Sequence, residues 1–290
     1  MRTLFRKWWA TKTNDRPPAP AMTAVAPKKR VALPLKGYAE ASHPTKYVDI
    51  LSDDDLAELN GLLNWRCFTV DGQGRRFGDS AWEGKRSEPQ DIPDRKIVLM
   101  NERFDLSDKH VLEVGCFEGV HTVGLSRYAR RVTAVDSRVD NVVKTIIRCA
   151  FFGYCPTVFK CNVEERPLPV EALSADIMHH VGVLYHLKDP VSHLLGLGQY
   201  VRRGLMLDTH YSLEHEATEA YEVEGKEYRY KTYQEFGHAD PFSGMYDHSK
   251  WLRLEDIAAL LSEAGFGQIE IVETRNERNG ARVLLIARRG

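Results

Sequence analysis

The sequence predicts an α/β protein with a doubly wound, mostly parallel sheet of seven strands that ends in an antiparallel hairpin. From residue 109 onward, short apolar strands at 111–114, 132–135, 157–160, 177–180 and 204–207 alternate with helical stretches, which is typical of a parallel sheet covered on both faces. The last two apolar segments, 269–273 and 282–287, are joined by a short stretch that contains the turn signal Asn279-Gly280. That connection has no room for a crossover helix, so these two strands must be antiparallel. A third observation is that the first strand runs directly into a glycine turn, VLEVGCFEG at 111–119.

Charge and composition divide the chain of 290 residues into three parts. Residues 1–30 hold eight Lys or Arg and one acid, and they end in a Pro/Ala-rich linker, so we expect a disordered basic tail. Apolar and basic residues interleave at 2–12, which would suit weak contact with an anionic membrane or a partner. Residues 31–105 are expected to form an N-terminal helical extension. Residues 106–290 are expected to form the main domain, with an insertion at about 212–250.

Two helices and a turn are predicted in the extension. Ser52 precedes three aspartates and should cap a helix that carries a series of leucines up to Leu63. Residues 69–74 read as a turn or hairpin, and Pro93 is expected to open a second helix.

The five cysteines are odd in number and lack the short paired spacing of a zinc site. Free thiols and no recognisable signal peptide favour a cytoplasmic protein. No apolar run approaches the roughly 18 residues of a membrane span.

The glycine turn predicts a nucleoside-type cofactor site. A strand, a glycine turn and a helix in succession bring backbone N–H groups to a ligand, and Gly115 and Gly119 let the chain approach it closely. Glu113 would suit an ammonium group, Asp136 at the end of the next strand could accept both ribose hydroxyls, and Asn162 could bond an adenine edge. Each residue alone could be structural, Glu113 as a helix cap partner and Asn162 as a turn residue. The full set of expected cofactor-binding residues is Glu113, Gly115, Cys116, Phe117, Gly119, His121, Asp136, Ser137, Asn162, Val163, Val181 and Gly182.

A dinucleotide is disfavoured at this turn. The dinucleotide fingerprint requires glycines at 117 and 120, where this chain has Phe117 and Val120. S-adenosylmethionine (SAM) carries no phosphate, so its loop tolerates more variation. The residues over 109–290 resemble the class I SAM-dependent methyltransferase superfamily, whose Rossmann-like sheet closes with an antiparallel hairpin.

A narrower resemblance lies in the segment GVLYHLKDP at 182–190 and in Gly119-Val120-His121. Both are similar to the family of tRNA wobble-uridine carboxymethyltransferases and its uncharacterised relatives. That resemblance implies a carboxylated SAM, with Tyr185 helping to hold its carboxylate and Arg95 or Lys96 assisting. The family has a glycine where this chain has Phe117, and the N-terminal region does not follow the family pattern. We therefore expect plain SAM.

Catalytic groups are expected at the carboxyl ends of the fourth and fifth strands. Methyl transfer is an in-line displacement at the sulfonium methyl carbon, so the enzyme aligns the nucleophile and can remove its proton. His186 and His210 are candidate general bases, since imidazole titrates near neutral pH, although each could instead be a hydrogen-bonding support. Asp208 could orient a histidine or accept from a substrate hydroxyl.

The insertion at 212–250 is expected to be a substrate lid. It carries nine acidic, four basic and seven aromatic residues, which would repel phosphate and suit a sugar, an aromatic metabolite or a cationic amine. The alternative is a solvated helix over 214–227 with its aromatic side chains on the core. The chain has many histidines, but no short ligand spacing supports a metal, and none is expected.

Three functions remain open at this point. The first is a SAM-dependent methyltransferase acting on an O or N of a small molecule or glycan. The second is a tRNA-modifying (carboxy)methyltransferase, which the segment at 182–190 and the basic tail favour and the acidic insertion opposes. The third is a non-catalytic module that keeps the fold to bind a partner.

Overall fold

The computed structural model describes residues 47–79 and 88–290. The predicted basic tail, the linker and the amphipathic segment at 2–12 lie outside these residues. Among the described residues, no helix is both long and apolar enough to cross a membrane. None of the five cysteines, all of which lie in the described residues, is joined in a disulfide.

The described residues of the extension form two helices and a small hairpin, so the extension is not purely helical. Helix α1 (Asp53–Leu62) begins at the predicted cap, where the Ser52 hydroxyl accepts from the Asp55 N–H and the Asp55 carboxylate accepts from the Ser52 N–H. Strands β1 (Phe68–Val70) and β2 (Arg76–Gly78) pair across the predicted turn. Helix α2 (Arg95–Phe104) begins two residues after Pro93, because the Asp94 carboxylate caps it by accepting from the Lys96 N–H.

The main sheet has the predicted seven strands. They are β3 (His110–Val114), β4 (Arg131–Asp136), β5 (Thr157–Lys160), β6 (Ala175–Val181), β7 (Val201–His210), β11 (Gln268–Glu277) and β12 (Gly280–Arg288). Their order in the sheet is β11-β12-β7-β6-β3-β4-β5. The first five are parallel, whereas β12 runs antiparallel to both β7 and β11, which confirms the terminal hairpin. Strand β7 is longer than predicted because it pairs with β6 on one side and with β12 on the other.

Helices pack on both faces of this sheet. They are α3 (Val120–Tyr128), α4 (Val139–Phe151), α5 (Val170–Leu173), α6 (Pro190–Gly196) and α7 (Leu254–Glu263). Successive strand residues face opposite layers: Leu112 joins the core under α6 and α7, whereas Val111 packs with α2 of the extension. The extension thus contributes to the core beside the strand that leads into the glycine turn.

The insertion forms a three-stranded antiparallel sheet, so the helix proposed as an alternative for 214–227 is wrong. Its strands are β8 (Glu219–Val223), β9 (Lys226–Gln234) and β10 (His248–Leu252), in the order β10-β9-β8. Glu224 and Gly225 both have positive φ, at 51° and 77°, which is the geometry of a two-residue hairpin turn. The two-residue spacing of Tyr228 and Tyr230 is only a weak sequence signal for a strand here.

Candidate functional site

The glycine turn links β3 to α3 through three residues with positive φ: Gly115 at 74°, Phe117 at 50° and Gly119 at 81°. A Cβ on Gly115 would lie 2.4 Å from Val183 Cγ2, and one on Gly119 would lie 2.9 Å from the backbone of Thr145. Both positions therefore require glycine, because a side chain would clash with neighbouring atoms and because the backbone has positive φ. The turn packs against α4 on one side and against the segment after β6 on the other.

Phe117 is the middle residue of this turn. It takes the left-handed conformation despite its side chain, which costs roughly 1–2 kcal/mol. Its ring lies 5.6 Å from the ring of Phe242 in the insertion. A phenylalanine thus fits this turn and makes a contact between the turn and the insertion.

Asp136 holds the turn from the end of β4. Its carboxylate accepts from the Phe117 N–H at 3.0 Å, the Arg138 N–H at 2.9 Å and Asn141 Nδ2 at 3.1 Å. A carboxylate offers about four acceptor positions, so one remains for a ligand hydroxyl. Burial raises the pKa of this carboxyl group. Ser137 follows it and lines a cavity of about 470 Å³ together with Arg138, whose side chain donates to backbone carbonyls of the insertion.

A buried ionic network ties the extension to the turn. Glu118 is fully buried and accepts from the backbone N–H groups of Arg66 and Cys67 and from Lys144 Nζ at 2.9 Å. Arg148, also fully buried, donates to the Glu118 carbonyl at 2.6 Å. These contacts place the extension against the outer side of the glycine turn.

Three other predicted cofactor residues make internal contacts. Asn162 accepts from the Glu164 N–H at 3.1 Å and donates to Glu165 at 3.2 Å, as a turn residue does. Val163 is buried in the core, and Cys116 Sγ accepts from the Thr145 hydroxyl at 3.3 Å. Val181 is half-buried at the end of β6, and Gly182 follows it with φ of 80°.

Glu113 is also buried, and it lies beside two histidines. Its Oε2 accepts from the Thr122 hydroxyl at 2.6 Å, and burial raises its pKa to about 8. Its other neighbours are the imidazoles of His121 and His179.

On the acceptor side, His186 is oriented by a carboxylate that the sequence did not reveal. His186 Nδ1 lies 2.8 Å from Glu235 Oε1, and Glu235 also accepts from the Ser249 hydroxyl and the Gly244 N–H, each at 3.0 Å. Although burial raises the pKa of Glu235, the hydrogen bond and charge of His186 shift it below its ordinary value. With Nδ1 directed at a carboxylate, Nε2 of a neutral His186 is the acceptor.

His210 lies in an aromatic stack, and no local motif in the sequence predicts its stacking partners. Its ring is parallel to that of Trp251 at 4.7 Å, and Tyr233 stacks with Trp251 at 4.6 Å. His210 Nδ1 donates to the Ala281 carbonyl at 3.1 Å. Burial and the charge of Arg282 lower the pKa of His210. Tyr185 meets His210 edge to face at 4.8 Å, and the Tyr185 carbonyl accepts from Trp251 Nε1 at 2.9 Å.

Asp208 is paired with arginines, so the expectation that it orients a histidine is wrong. It is fully buried and accepts from Arg282 and, at 3.0 Å, from Arg275. Lys96 Nζ lies 4.0 Å from the same carboxylate, whereas Arg95 is exposed and pairs with Glu273. Of the two basic candidates, only Lys96 thus reaches this cluster.

Arg282 links this cluster to the site because it lies beside Tyr185, and the sequence analysis did not identify it. Its guanidinium lies 5.2 Å from the centre of the Tyr185 ring. Arg282 comes from β12, almost 100 residues after Tyr185, and only the antiparallel pairing of β12 with β7 brings it to the site.

Comparison with known proteins supports the same fold. No protein-family model matches the chain. It is 28% identical over 155 residues to a tRNA U34 carboxymethyltransferase of Marinobacter nauticus and 33% identical over 155 residues to that of Methylococcus capsulatus. Each match covers 52% of this chain and 44% of the relative, so the chain spans less than half the length of these curated relatives.

A solved structure matches most of the chain. The N-terminal domain of EvdMO1, determined in the presence of SAH and D-fucose, superimposes with a TM-score of 0.67 and 22% identity, over 86% of this chain and 99% of that domain. The chain has the class I methyltransferase fold.

Proposed function

We propose that this protein, which has the class I methyltransferase fold, transfers a methyl group from SAM to an oxygen or nitrogen of a small molecule or glycan. The observation that carries the proposal is the glycine turn at the end of β3, which the Asp136 carboxylate braces from the end of β4. The two glycines keep the turn free of side chains, and Asp136 retains an acceptor position for a ribose hydroxyl. The SAH-bound EvdMO1 domain, with the same fold, supports this cofactor.

The residues proposed to hold SAM are those expected from the sequence. The turn from Gly115 to Gly119 would approach the nucleoside, Asp136 and Ser137 the ribose, and Asn162 with Val163 the adenine. Val181 and Gly182 would border the methionyl end. Glu113 and Cys116 lie beneath the turn and would act chiefly by shaping it, since both side chains are buried and already bonded.

His186 is the proposed general base. In the transfer, the acceptor O or N forms a bond to the methyl carbon as the bond from carbon to sulfur breaks, and the sulfonium becomes the neutral thioether of SAH. The proton of the acceptor would pass to Nε2 of His186, while Glu235 stabilises the resulting imidazolium. His210 is less suited to this role because its side chain is only 2% exposed, whereas the side chain of His186 is 22% exposed.

The aromatic cluster favours a glycan or a ring-shaped acceptor. Tyr185 and Tyr233 are only partly buried and offer ring surface on which a sugar or aromatic ring can pack, and the buried Trp251 holds the Tyr233 ring in place by stacking on it. The presence of D-fucose with the EvdMO1 domain agrees with a sugar acceptor.

A second candidate is transfer to tRNA, with SAM or its carboxylated form, which the similarity to the tRNA U34 enzymes favours. Tyr185 lies beside Arg282, and a cofactor carboxylate could be held there. However, Arg282, Arg275 and Lys96 already surround Asp208, and the insertion is acidic. We therefore propose plain SAM and a non-nucleic-acid acceptor.

Mass spectrometry of small molecules retained by the purified protein tests this proposal. SAM or SAH should be recovered at close to one equivalent, and carboxylated SAM should not. A mobility-shift assay with total tRNA at physiological salt should show no complex. Recovery of carboxylated SAM together with a tRNA complex would establish the second candidate instead. If the protein neither retains nor binds SAM, the remaining function is a partner-binding module.

A further inference from the structure

Three potential metal ligands from separate elements meet beneath the glycine turn. Glu113 lies on β3, His179 lies opposite it on the neighbouring parallel strand β6, and His121 lies in the first turn of α3. One ligand atom from each of the three lies within 4.8 Å of the other two. Opposed residues of paired strands project to the same face of a sheet, and α3 folds back over that face.

Because this cluster is buried, its unpaired polar atoms destabilise the folded protein unless they bind a ligand. Glu113 and His179 are each 1% exposed, and neither ring nitrogen of His179 has a hydrogen-bond partner among the described residues. Native proteins rarely leave a buried polar side chain without a partner. His180, the next residue along β6, has a partner for one of its two ring nitrogens, because its Nε2 lies 2.9 Å from His193 Nε2, whereas His179 has a partner for neither among the described residues.

We propose that Glu113, His121 and His179 bind a divalent transition-metal ion such as Zn²⁺. Two imidazoles and one carboxylate form a donor set that suits Zn²⁺, Fe²⁺ or Co²⁺, whereas Mg²⁺ and Ca²⁺ prefer oxygen ligands alone. Ligand atoms around Zn²⁺ lie roughly 3.4 Å apart, given bond lengths of about 2.1 Å, so small side-chain rotations from the observed separation would close the site. Three protein ligands leave a fourth position open.

A neighbouring hydroxyl group supports the ligand geometry. The Thr122 hydroxyl donates to Glu113 Oε2 and leaves Oε1 for a metal, which is how surrounding hydrogen bonds commonly orient a ligating carboxylate.

The ligands are far apart in the sequence, which is why short spacing gave no reason to expect a metal. Glu113 and His121 are separated by a turn, and His179 follows only after two further strands and their helices. The proposed site replaces the expectation of no metal. Glu113 would then bind the metal as well as shape the turn, and it would not bind the ammonium group of a cofactor as the sequence suggested.

Cobalt binding followed by optical spectroscopy tests the proposal without using methyl-transfer activity. Protein carrying no histidine tag is stripped with a chelator and titrated with Co²⁺, and the metal content of unstripped protein is measured separately. The wild type should bind one equivalent with intense visible bands of four- or five-coordinate Co²⁺, and one equivalent of Zn²⁺ should abolish those bands.

His179→Gln and His180→Gln form a matched pair of buried substitutions on the same strand. Cobalt affinity should fall at least tenfold in His179→Gln and stay within about twofold of wild type in His180→Gln, with circular dichroism confirming that both fold. If the wild type binds no Co²⁺, or binds it only weakly and with octahedral spectra that persist in His179→Gln, the proposal is overturned. Failure of the wild type to bind Co²⁺ overturns the proposal even if a variant does not fold. Binding of SAM by the stripped wild type, measured in parallel, separates this outcome from failure of the proposed function.

Discussion

The two halves of the site differ in how the chain builds them. The cofactor half, at the ends of β3, β4 and β5, is made largely by backbone geometry within the short segment from Val111 to Gly119 and by the carboxylate of Asp136. The acceptor half, at the ends of β6 and β7, is made by side chains that are distant in sequence, such as His186 with Glu235 and Asp208 with Arg282. Local motifs therefore identify the cofactor half, while the acceptor half depends on tertiary contacts.

Their electrostatics differ as well. In the acceptor half, the buried carboxylate of Asp208 is surrounded by three cationic side chains. Beneath the cofactor half, the buried imidazole of His179 has no hydrogen-bond partner among the described residues. The first cluster is satisfied within the protein, whereas the second leaves ligand atoms available.

The largest expected effect is on catalysis in the acceptor half. His186→Gln should lower kcat by roughly 10²–10⁴-fold, because it removes the proposed proton acceptor, and should leave SAM affinity unchanged. Glu235→Gln should produce a smaller fall in kcat, since it removes only the orienting carboxylate. The exposed His215 gives a control, and His215→Gln should keep wild-type kcat. If His186→Gln retains wild-type kcat on an identified acceptor, His186 is not the base.

Asp208→Asn tests whether the ionic cluster is structural. Removing this charge leaves Arg275 and Arg282 without their buried partner, and the free energy of unfolding should fall by about 3 kcal/mol or more. The exposed Asp247 provides the control, and Asp247→Asn should change stability by less than about 0.5 kcal/mol. Denaturant unfolding measures both. Equal stability of the Asp208→Asn variant and wild type would show that the cluster does not hold the acceptor half together.

The buried pair His180–His193 predicts a pH dependence of stability. Burial lowers the pKa of His180 to about 4 from an ordinary value of 6.5. Between these values the unfolded chain binds a proton that the folded chain does not, so stability falls as pH drops from 6.5 towards 4. The expected loss is on the order of 3 kcal/mol for this residue.

The variant His180→Asn isolates this contribution. It should lose less stability than wild type over the same pH interval, as measured by denaturant unfolding at several pH values. Parallel curves for the two proteins would contradict the lowered pKa of His180 in the folded protein.

The sequence predicts the sheet, the terminal hairpin and the glycine turn because these depend on local alternation, turn residues and chain connection lengths. It does not predict that Glu235 orients His186, because a single glutamate in an insertion looks like any solvated residue. The same holds for Trp251 and Arg282, which reach the site only when β10 and β12 take their places. The secondary structure of the insertion is ambiguous from the sequence for a related reason. Its alternation of apolar and polar residues is weak, and the Glu224-Gly225 turn, with positive φ at both residues, distinguishes a hairpin from a helix.

The central claim is that the turn from Gly115 to Gly119 and Asp136 bind SAM, and calorimetric titration of SAM tests it most directly. The wild type should bind with micromolar affinity, and Asp136→Ala should lose most of that affinity, because both the ribose acceptor and the brace on Phe117 are removed. Asp54→Ala, at an exposed position in the first turn of α1, should bind as the wild type does. Absence of SAM binding by the wild type, or unchanged affinity in Asp136→Ala, would contradict the account.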